Sequence, residues 1–160
     1  MENKLREIIK ILTEKNKTIS TMESCTGGGV ANAITNIEGA SEVLKFSAVT
    51  YSNEYKIKMG VDANIIDKYS VYSIKTAEEM SKNISAFANS NYGVGITGKL
   101  NRVDKNNLYG QDNIVYVSIY DKDNDKFYNG SIEVTKQSRK ENKELLISLI
   151  INMLMSIIKW

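Results

Sequence analysis

Ser24 and Cys25 are the first residues of this sequence that could do chemistry, because they stand just before three successive glycines, Gly27–Gly29. A short extended run at residues 18–22 precedes them, and a helix-compatible run begins at Val30. A strand whose end opens a helix through glycines brings unpaired backbone N–H groups to one point. Ser24 would then act as a nucleophile beside ready oxyanion donors. The alternative is an ordinary strand-to-helix turn in which a Ser or Thr caps the helix.

Cys25 is a rival nucleophile, because a helix N-terminus would lower the pKa of its thiol. Neighbouring side chains of an extended segment point opposite ways, so we expect only one of Ser24 and Cys25 to face the site. Both choices stay open at this point, since a lone cysteine is also a common small buried hydrophobe. Glu23 either caps the glycine turn or binds a ligand hydroxyl, and Thr26 and Gly27 are expected backbone donors.

The chain contains no histidine, which excludes His-dependent catalytic triads and His-ligated metal sites. Lysine can replace histidine as the base for a serine if it is neutral for part of the time. Lys56 follows Asn53, a candidate helix N-cap, and both burial and a helix N-terminus would disfavour its cation. Tyr51 could relay a proton or orient the lysine amine, whereas Lys58 should point elsewhere. The alternative for Lys56 is a solvated surface lysine.

The overall composition indicates how many domains the chain has, which partners it is suited to and in which compartment we expect it. A length of 160 residues predicts one domain, residues 1–160. Lys and Arg number 21 against 19 Asp and Glu, so no strong field favours nucleic acid or an acidic surface. The single cysteine excludes an internal disulfide and fits a reducing compartment. Because residues 1–17 are charged throughout and lack a secretory pattern, we expect a cytoplasmic protein.

Hydrophobic periodicity places the candidates on alternating helices and strands. Four residues, Ala77, Met80, Ile84 and Phe87, are expected to face inward on one helix. The loop at 99–112 is long enough to suggest a binding role. The whole pattern predicts an α/β fold, a three-layer α/β/α sandwich with a mixed β-sheet. The predicted helices cover 2–15, 30–36, 53 onward, 62–69, 73–89 and 138–159, and the strands cover 18–22, 46–51, 92–98, 114–120 and 126–134.

The last helix is apolar nearly all round from Leu145 to Ile158. This stretch is short for a membrane span, so no membrane contact is expected. A helix of this kind is either buried in the core of its own chain or partly covered by a second subunit. We therefore expect a homo-oligomer, a dimer, with core burial alone as the alternative.

Four short motifs follow one another in a specific order and at specific separations. They are Glu23-Ser-Cys-Thr-Gly-Gly28, Gly39-Ala-Ser41, Val49-Thr-Tyr-Ser-Asn-Glu54 with Lys56, and Gly95-Ile-Thr-Gly98. Together they resemble the C-terminal domain of the CinA family, closely over about residues 2–98. That family includes stand-alone nicotinamide-nucleotide amidases. The resemblance implies hydrolysis of the carboxamide of nicotinamide mononucleotide to nicotinate mononucleotide and ammonia, with no metal or other cofactor.

Carried over by motif, the resemblance makes Ser24 the nucleophile and Lys56 its general base, with Tyr51 assisting. The tetrahedral oxyanion would be held by N–H groups around Thr26 and Gly27. The full set of expected substrate contacts, apart from basic residues, is Glu23, Cys25, Thr26, Gly27, Gly28, Thr97 and Gly98.

The chain departs from the family after Gly98. Family members continue with Ile-Ala-Gly-Pro and a glycine-rich loop, whereas this chain continues with Lys99-Leu-Asn-Arg-Val-Asp. Because the glycine turn cannot hold both the oxyanion and a phosphate, Lys99, Arg102 or Lys105 is expected to bind the phosphate, with Arg139 as a further candidate. Alternatively, the three loop residues are solvated charges. The changed loop also leaves a second hypothesis open, a non-catalytic nucleotide- or partner-binding module that retains the fold.

Overall fold

The computed structural model describes residues 1–102, 104–108 and 110–159. Every predicted helix and strand is present to within a few residues of its expected ends, and Val103 and Tyr109 of the predicted loop lie outside the described residues. In chain order the elements are α1 (Glu2–Glu14), β1 (Ile19–Glu23), α2 (Gly29–Thr35), a 3₁₀ turn (Ala40–Glu42), β2 (Leu44–Val49), α3 (Asn53–Lys58), α4 (Ala63–Tyr69), α5 (Ile74–Ala88), β3 (Tyr92–Gly98), β4 (Ile114–Asp121), β5 (Lys126–Glu133) and α6 (Arg139–Ile158).

The five strands form a mixed sheet in the order β2-β1-β3-β4-β5. Strand β1 runs parallel to both of its neighbours, β2 and β3, whereas β4 and β5 form an antiparallel hairpin on the other side. The carboxyl ends of three parallel strands therefore meet at one edge, with Glu23 paired to Val49 and Met22 paired to Gly95. Ligands of open α/β sheets bind outside such an edge.

Helices cover both faces of the sheet, which confirms the predicted three-layer α/β/α sandwich. On one face, α1, α2 and α6 bury Leu12, Val30 and Leu146 in a large hydrophobic cluster. On the other face, α4 and α5 bury Ile66 and Met80 in a smaller cluster. Burial of apolar side chains on both faces is the main source of the sheet's stability.

Two glycines of β3 allow α5 to lie directly on the strand. A Cβ atom on Gly95 would lie 2.3 Å from the Ala77 carbonyl oxygen and 2.6 Å from the Ser81 nitrogen. A Cβ atom on Gly93 would lie 2.0 Å from the Ser81 carbonyl oxygen. Because the obstructing atoms belong to the helix backbone, no side-chain rotation could relieve the contact.

The prediction that Phe87 faces inward is wrong, although Ala77, Met80 and Ile84 are buried as expected. Phe87 is 64% exposed, and its ring packs against that of Phe46 with the centroids 5.1 Å apart. Phe46 lies on β2, which is an edge strand of the sheet. Near the end of α5 the aromatic side chain therefore pairs with the edge strand and not with the core.

Helix α6 buries most of its apolar surface within the chain. Leu146, Ile150 and Leu154 are completely buried, and α6 packs against α1 and α2. The exposed residues of α6 are all polar: Lys140, Glu141, Glu144, Asn152 and Ser156. Packing inside the chain accounts for its apolar character, so the dimer stays a prediction. No helix among the described residues has the length and apolarity needed to cross a membrane.

We predict that Gly95→Ala lowers the free energy of unfolding by about 3 kcal/mol, since the backbones of β3 and α5 must separate. Gly130→Ala is the matched control on β5, where the new Cβ would meet only the flexible end of Met153, 3.2 Å away. Urea unfolding of both variants measures the difference. Equal losses of stability would contradict this account of the contact between α5 and β3.

Candidate active site

A lysine amine and a serine hydroxyl meet at the carboxyl edge of the sheet. Lys56 Nζ donates hydrogen bonds to Ser24 Oγ at 3.2 Å and to the Thr50 carbonyl oxygen at 2.7 Å. The neighbouring strands bring them together, because the Thr50 N–H donates to the Glu23 carbonyl just beyond the paired ends of β1 and β2. Lys56 is 2% exposed and Ser24 is 7% exposed, so the alternative of a solvated surface lysine is wrong.

Burial lowers the pKa of Lys56 to about 8, against a raising influence from Cys25 and Asp104. About a tenth of the Lys56 amines are then neutral at pH 7. We expected a helix N-terminus to help lower this pKa. Lys56 instead lies in the last turn of the six-residue α3, so burial is the cause. The predicted cap is also corrected: Ser52 caps α3 by accepting a hydrogen bond from the Tyr55 N–H at 3.2 Å.

Of the two roles predicted for Glu23, the structure supports capping of the glycine turn. Its carboxylate accepts the N–H groups of Val30 and Ala31, each at 2.9 Å, at the start of α2. It also accepts the hydroxyls of Thr26 at 2.6 Å and Thr21 at 3.0 Å. Four donors surround a fully buried carboxylate, so Glu23 holds the turn and does not face a ligand.

Of the two backbone donors that we predicted at the glycine turn, the structure engages Gly27 and leaves Thr26 without an acceptor in the described part of the chain. The Gly27 N–H donates to the Ser24 carbonyl at 2.9 Å, which closes the turn and removes Gly27 as an oxyanion donor. Gly27 and Gly28 have φ angles of 61° and 89°, which glycine adopts readily. Within the described residues, the N–H groups of Cys25 and Thr26 have no acceptor. Within the same residues the Gly28 N–H has no acceptor either, and of Cys25, Thr26 and Gly28 only Cys25 lines the cavity.

Ser24 and Cys25 both belong to the cavity wall, but the Cys25 side chain is also part of the hydrophobic cluster that α1, α2 and α6 cover. That only one of the two side chains faces the site stays a prediction. Cys25 is only 3% exposed, and burial raises the pKa of its thiol to about 12. A thiol that stays protonated at neutral pH is a poor nucleophile, and the site favours Ser24.

Ser24 and Lys56 line a cavity of about 620 Å³, within the range of small-molecule sites. Three basic side chains, Arg102, Lys105 and Arg139, line the same cavity and favour an anionic ligand. Among the described residues, no group of His, Cys, Asp or Glu side chains is placed to hold a metal ion.

Tyr51 lies at the cavity, but the structure does not bring its hydroxyl to the lysine amine. Its side chain is 64% exposed, and its hydroxyl accepts a hydrogen bond from the Arg139 guanidinium at 3.1 Å. The hydrogen bonds of the Lys56 amine go to Ser24 and Thr50 instead. Tyr51 therefore positions Arg139, and the predicted proton relay has no support in this geometry.

Two other predicted contacts are engaged within the protein. The Thr97 hydroxyl is fully buried and donates to the Val71 carbonyl at 2.9 Å, whereas Gly98 lines the cavity. The Lys99 ammonium pairs with Asp112 at 3.1 Å and is almost fully buried. Lys99 therefore stabilises the loop and is not a free phosphate ligand.

A network that sequence reasoning missed fastens the changed loop to the cavity wall. Asp104 accepts hydrogen bonds from the Tyr72 hydroxyl and from the Asn107 amide. Asn107 in turn accepts from the Asn53 amide at 2.9 Å. No spacing in the sequence could have indicated these contacts, because they join an irregular loop to distant elements. The loop thus lines the cavity with polar and charged side chains.

Comparisons with known proteins agree with this architecture. The sequence profile of the CinA C-terminal domain matches residues 2–158. A CinA-like protein of Flavobacterium psychrophilum is 41% identical over 100 residues, which are 61% of this chain and 24% of that protein. The chain spans about a quarter of the length of the curated relatives it matches.

Solved structures share the fold over almost the whole chain. The competence/damage inducible protein CihA from Agrobacterium tumefaciens has a TM-score of 0.88 at 26% identity, covering 99% of this chain and 95% of that one. A CinA superfamily protein from Escherichia coli has a TM-score of 0.88 at 22% identity, covering 98% of this chain and 89% of that one. Because the profile match extends from residue 2 to residue 158, the chain belongs to the CinA C-terminal domain family.

Proposed function

We propose that the chain is an amidohydrolase that converts nicotinamide mononucleotide to nicotinate mononucleotide and ammonia. The observation that carries the proposal is the 3.2 Å contact between Lys56 Nζ and Ser24 Oγ in a buried site. A lysine whose pKa is lowered to about 8 supplies enough neutral amine near physiological pH to accept a proton. Membership of the CinA family supports an enzyme and, through the sequence resemblance, this substrate.

Acylation begins when Ser24 Oγ attacks the carboxamide carbon and its proton passes to Lys56 Nζ. The carbonyl oxygen becomes an oxyanion, which the Cys25 N–H at the cavity wall holds. The carbon–nitrogen bond then breaks, the leaving nitrogen takes the proton from Lys56, and ammonia departs. An ester between the nicotinoyl group and Ser24 remains.

Deacylation repeats the same proton transfers with water as the nucleophile. Lys56, neutral again, takes a proton from the water as its oxygen attacks the ester carbon. The bond to Ser24 Oγ breaks, Lys56 returns the proton to Ser24, and nicotinate mononucleotide leaves as a carboxylic acid that ionises in water. One lysine thus serves as base and acid in both halves of the reaction.

The charges of the cavity suit a nucleotide of this kind. The substrate phosphate is a dianion near neutral pH, and a planar guanidinium is a strong partner for it. Arg139 is the phosphate ligand that we favour, because Tyr51 holds its guanidinium at the cavity. The pyridinium ring carries a positive charge, which the face of an aromatic ring such as that of Tyr51 can stabilise.

We predict that Ser24→Ala and Lys56→Met each lower kcat for ammonia release by about 10³-fold or more, since each removes one partner of the proton transfer. Lys58→Met is the matched control, because Lys58 lies on the same helix with an exposed side chain paired to Glu54 at 2.9 Å. Ammonia release from nicotinamide mononucleotide measures all three variants.

Wild-type activity in Lys56→Met would contradict the proposal. A folded wild-type protein that binds nicotinamide mononucleotide but releases no ammonia would instead support the non-catalytic binding module.

We predict that Cys25→Ala keeps most of the activity, because the thiol stays protonated and the substitution removes one small buried atom. Treatment of the native protein with iodoacetamide should likewise leave ammonia release intact, since Cys25 is buried. Mass spectrometry of the treated protein reports whether the thiol has reacted. Loss of turnover in folded Cys25→Ala would point to thiol chemistry and against Ser24 as the nucleophile.

A further inference from the structure

Thr50 has a buried hydroxyl without a hydrogen-bond partner. Among the described residues, Thr50 Oγ1 is the one buried side-chain nitrogen or oxygen in that condition, and the residue is 2% exposed. Burying an unpaired hydroxyl lowers the stability of a protein, and native structures contain few such groups. The atom therefore calls for a functional explanation.

The backbone of Thr50 is fixed at the catalytic pair. Its carbonyl oxygen accepts from Lys56 Nζ at 2.7 Å, and its N–H donates to the Glu23 carbonyl at 2.8 Å. Glu23 immediately precedes Ser24, so the two backbone bonds tie Thr50 to both catalytic segments. Only its side chain is uncommitted, and it belongs to the residue whose carbonyl holds the Lys56 amine.

The hydrogen bonds of the Lys56 amine leave one N–H without a partner. A neutral amine has two N–H donors and one lone pair, and an ammonium has three donors. When the lone pair faces the Ser24 hydroxyl, one N–H goes to the Thr50 carbonyl, and the other has no acceptor among the described residues. The same N–H stays unmatched after Lys56 gains a proton, when a hydrogen bond to it would be about twice as strong.

We propose that Thr50 is a positioning residue for Lys56, whose hydroxyl rotates to accept the third N–H of the ammonium that forms when Ser24 attacks. This inference rests on the proposed function. Rotation about χ1 exchanges the hydroxyl with a methyl or a hydrogen between staggered positions. Because this bond forms with the ammonium and not with the reactive neutral amine, it raises kcat above about pH 8, where Lys56 starts neutral, and leaves KM unchanged.

Two variants separate the hydroxyl of Thr50 from its shape. Thr50→Val keeps the branched shape and removes the hydroxyl, and we expect kcat measured at about pH 9 to fall about tenfold or more, as for a lost hydrogen bond to a charged group. Its KM should be unchanged, and its Tm should be equal to or above that of the wild type, because the unpaired hydroxyl is gone. Thr50→Ser keeps the hydroxyl and should keep kcat near the wild-type value while its Tm falls. Ammonia release and thermal unfolding measure these quantities.

Wild-type kcat in Thr50→Val would overturn the inference, and so would a kcat of Thr50→Ser as low as that of Thr50→Val. If Thr50→Val does not fold, Thr50→Ala is compared with Thr50→Ser, because these two variants differ only in the hydroxyl. Equal kcat values for Thr50→Ala and Thr50→Ser would again overturn the inference. Wild-type protein and Ser24→Ala are assayed together with these variants. If the wild type releases no ammonia, both the proposed function and the inference about Thr50 are wrong. If the wild type is active, Ser24→Ala is inactive and Thr50→Val is unimpaired, only the inference about Thr50 is wrong.

Discussion

The rest of the site depends on one constraint, the burial of the Lys56 amine beside the Ser24 hydroxyl. Burial removes water from the lysine amine, and this costs the charged ammonium more free energy than it costs the neutral amine. Burial therefore favours the neutral form, which can act as a base. Burial lowers the pKa of Lys56, and the Ser24 hydroxyl and the Thr50 carbonyl fix the position of its amine. The parallel pairing of β1 and β2 brings these two partners together, and α3 returns the chain so that the lysine reaches them.

The surrounding structure keeps the turn that carries Ser24 rigid. Glu23 is a buried carboxylate with four donors, two from the backbone of α2 and two from threonine hydroxyls. These four hydrogen bonds join the end of β1 to the start of α2 and so fix the geometry of the turn between them. The turn therefore holds its remaining N–H groups in place before a substrate arrives, which is the condition for electrostatic stabilisation of an oxyanion. The loop after Gly98 contributes Arg102, Asp104 and Lys105 to the wall of the same cavity.

Local patterns predicted most of the fold and indicated the two residues, Ser24 and Lys56, that meet in the candidate site. Periodicity revealed α1, the hairpin and the buried face of α5, because each depends on the alternation of residues along a single element. Ser24 and Lys56 were candidates from the glycine turn and from the absence of histidine, and the family resemblance singled them out among the alternatives.

The rest depends on neighbours that the sequence does not display. Phe87 is exposed because β2 lies at the edge of the sheet, and strand order is not a local property. Lys99 is paired with Asp112 across an irregular loop, where no periodicity predicts which charges meet. Gly27 uses its N–H to close the turn, and Tyr51 bonds to Arg139 from a helix late in the chain. Thr50 gave no signal, because its visible contact with Lys56 is made by the backbone.

The protonation state of Lys56 is the central claim, and an NMR titration measures it directly. The chemical shift of its Cε, in protein labelled with ¹³C-lysine and assigned by the loss of one signal in Lys56→Met, is followed from about pH 6 to pH 12. The account predicts a midpoint at about 8, well below the ordinary lysine value of 10.5. A midpoint near 10.5 would contradict it, because the amine would then be almost entirely protonated at neutral pH and unable to take the proton of Ser24.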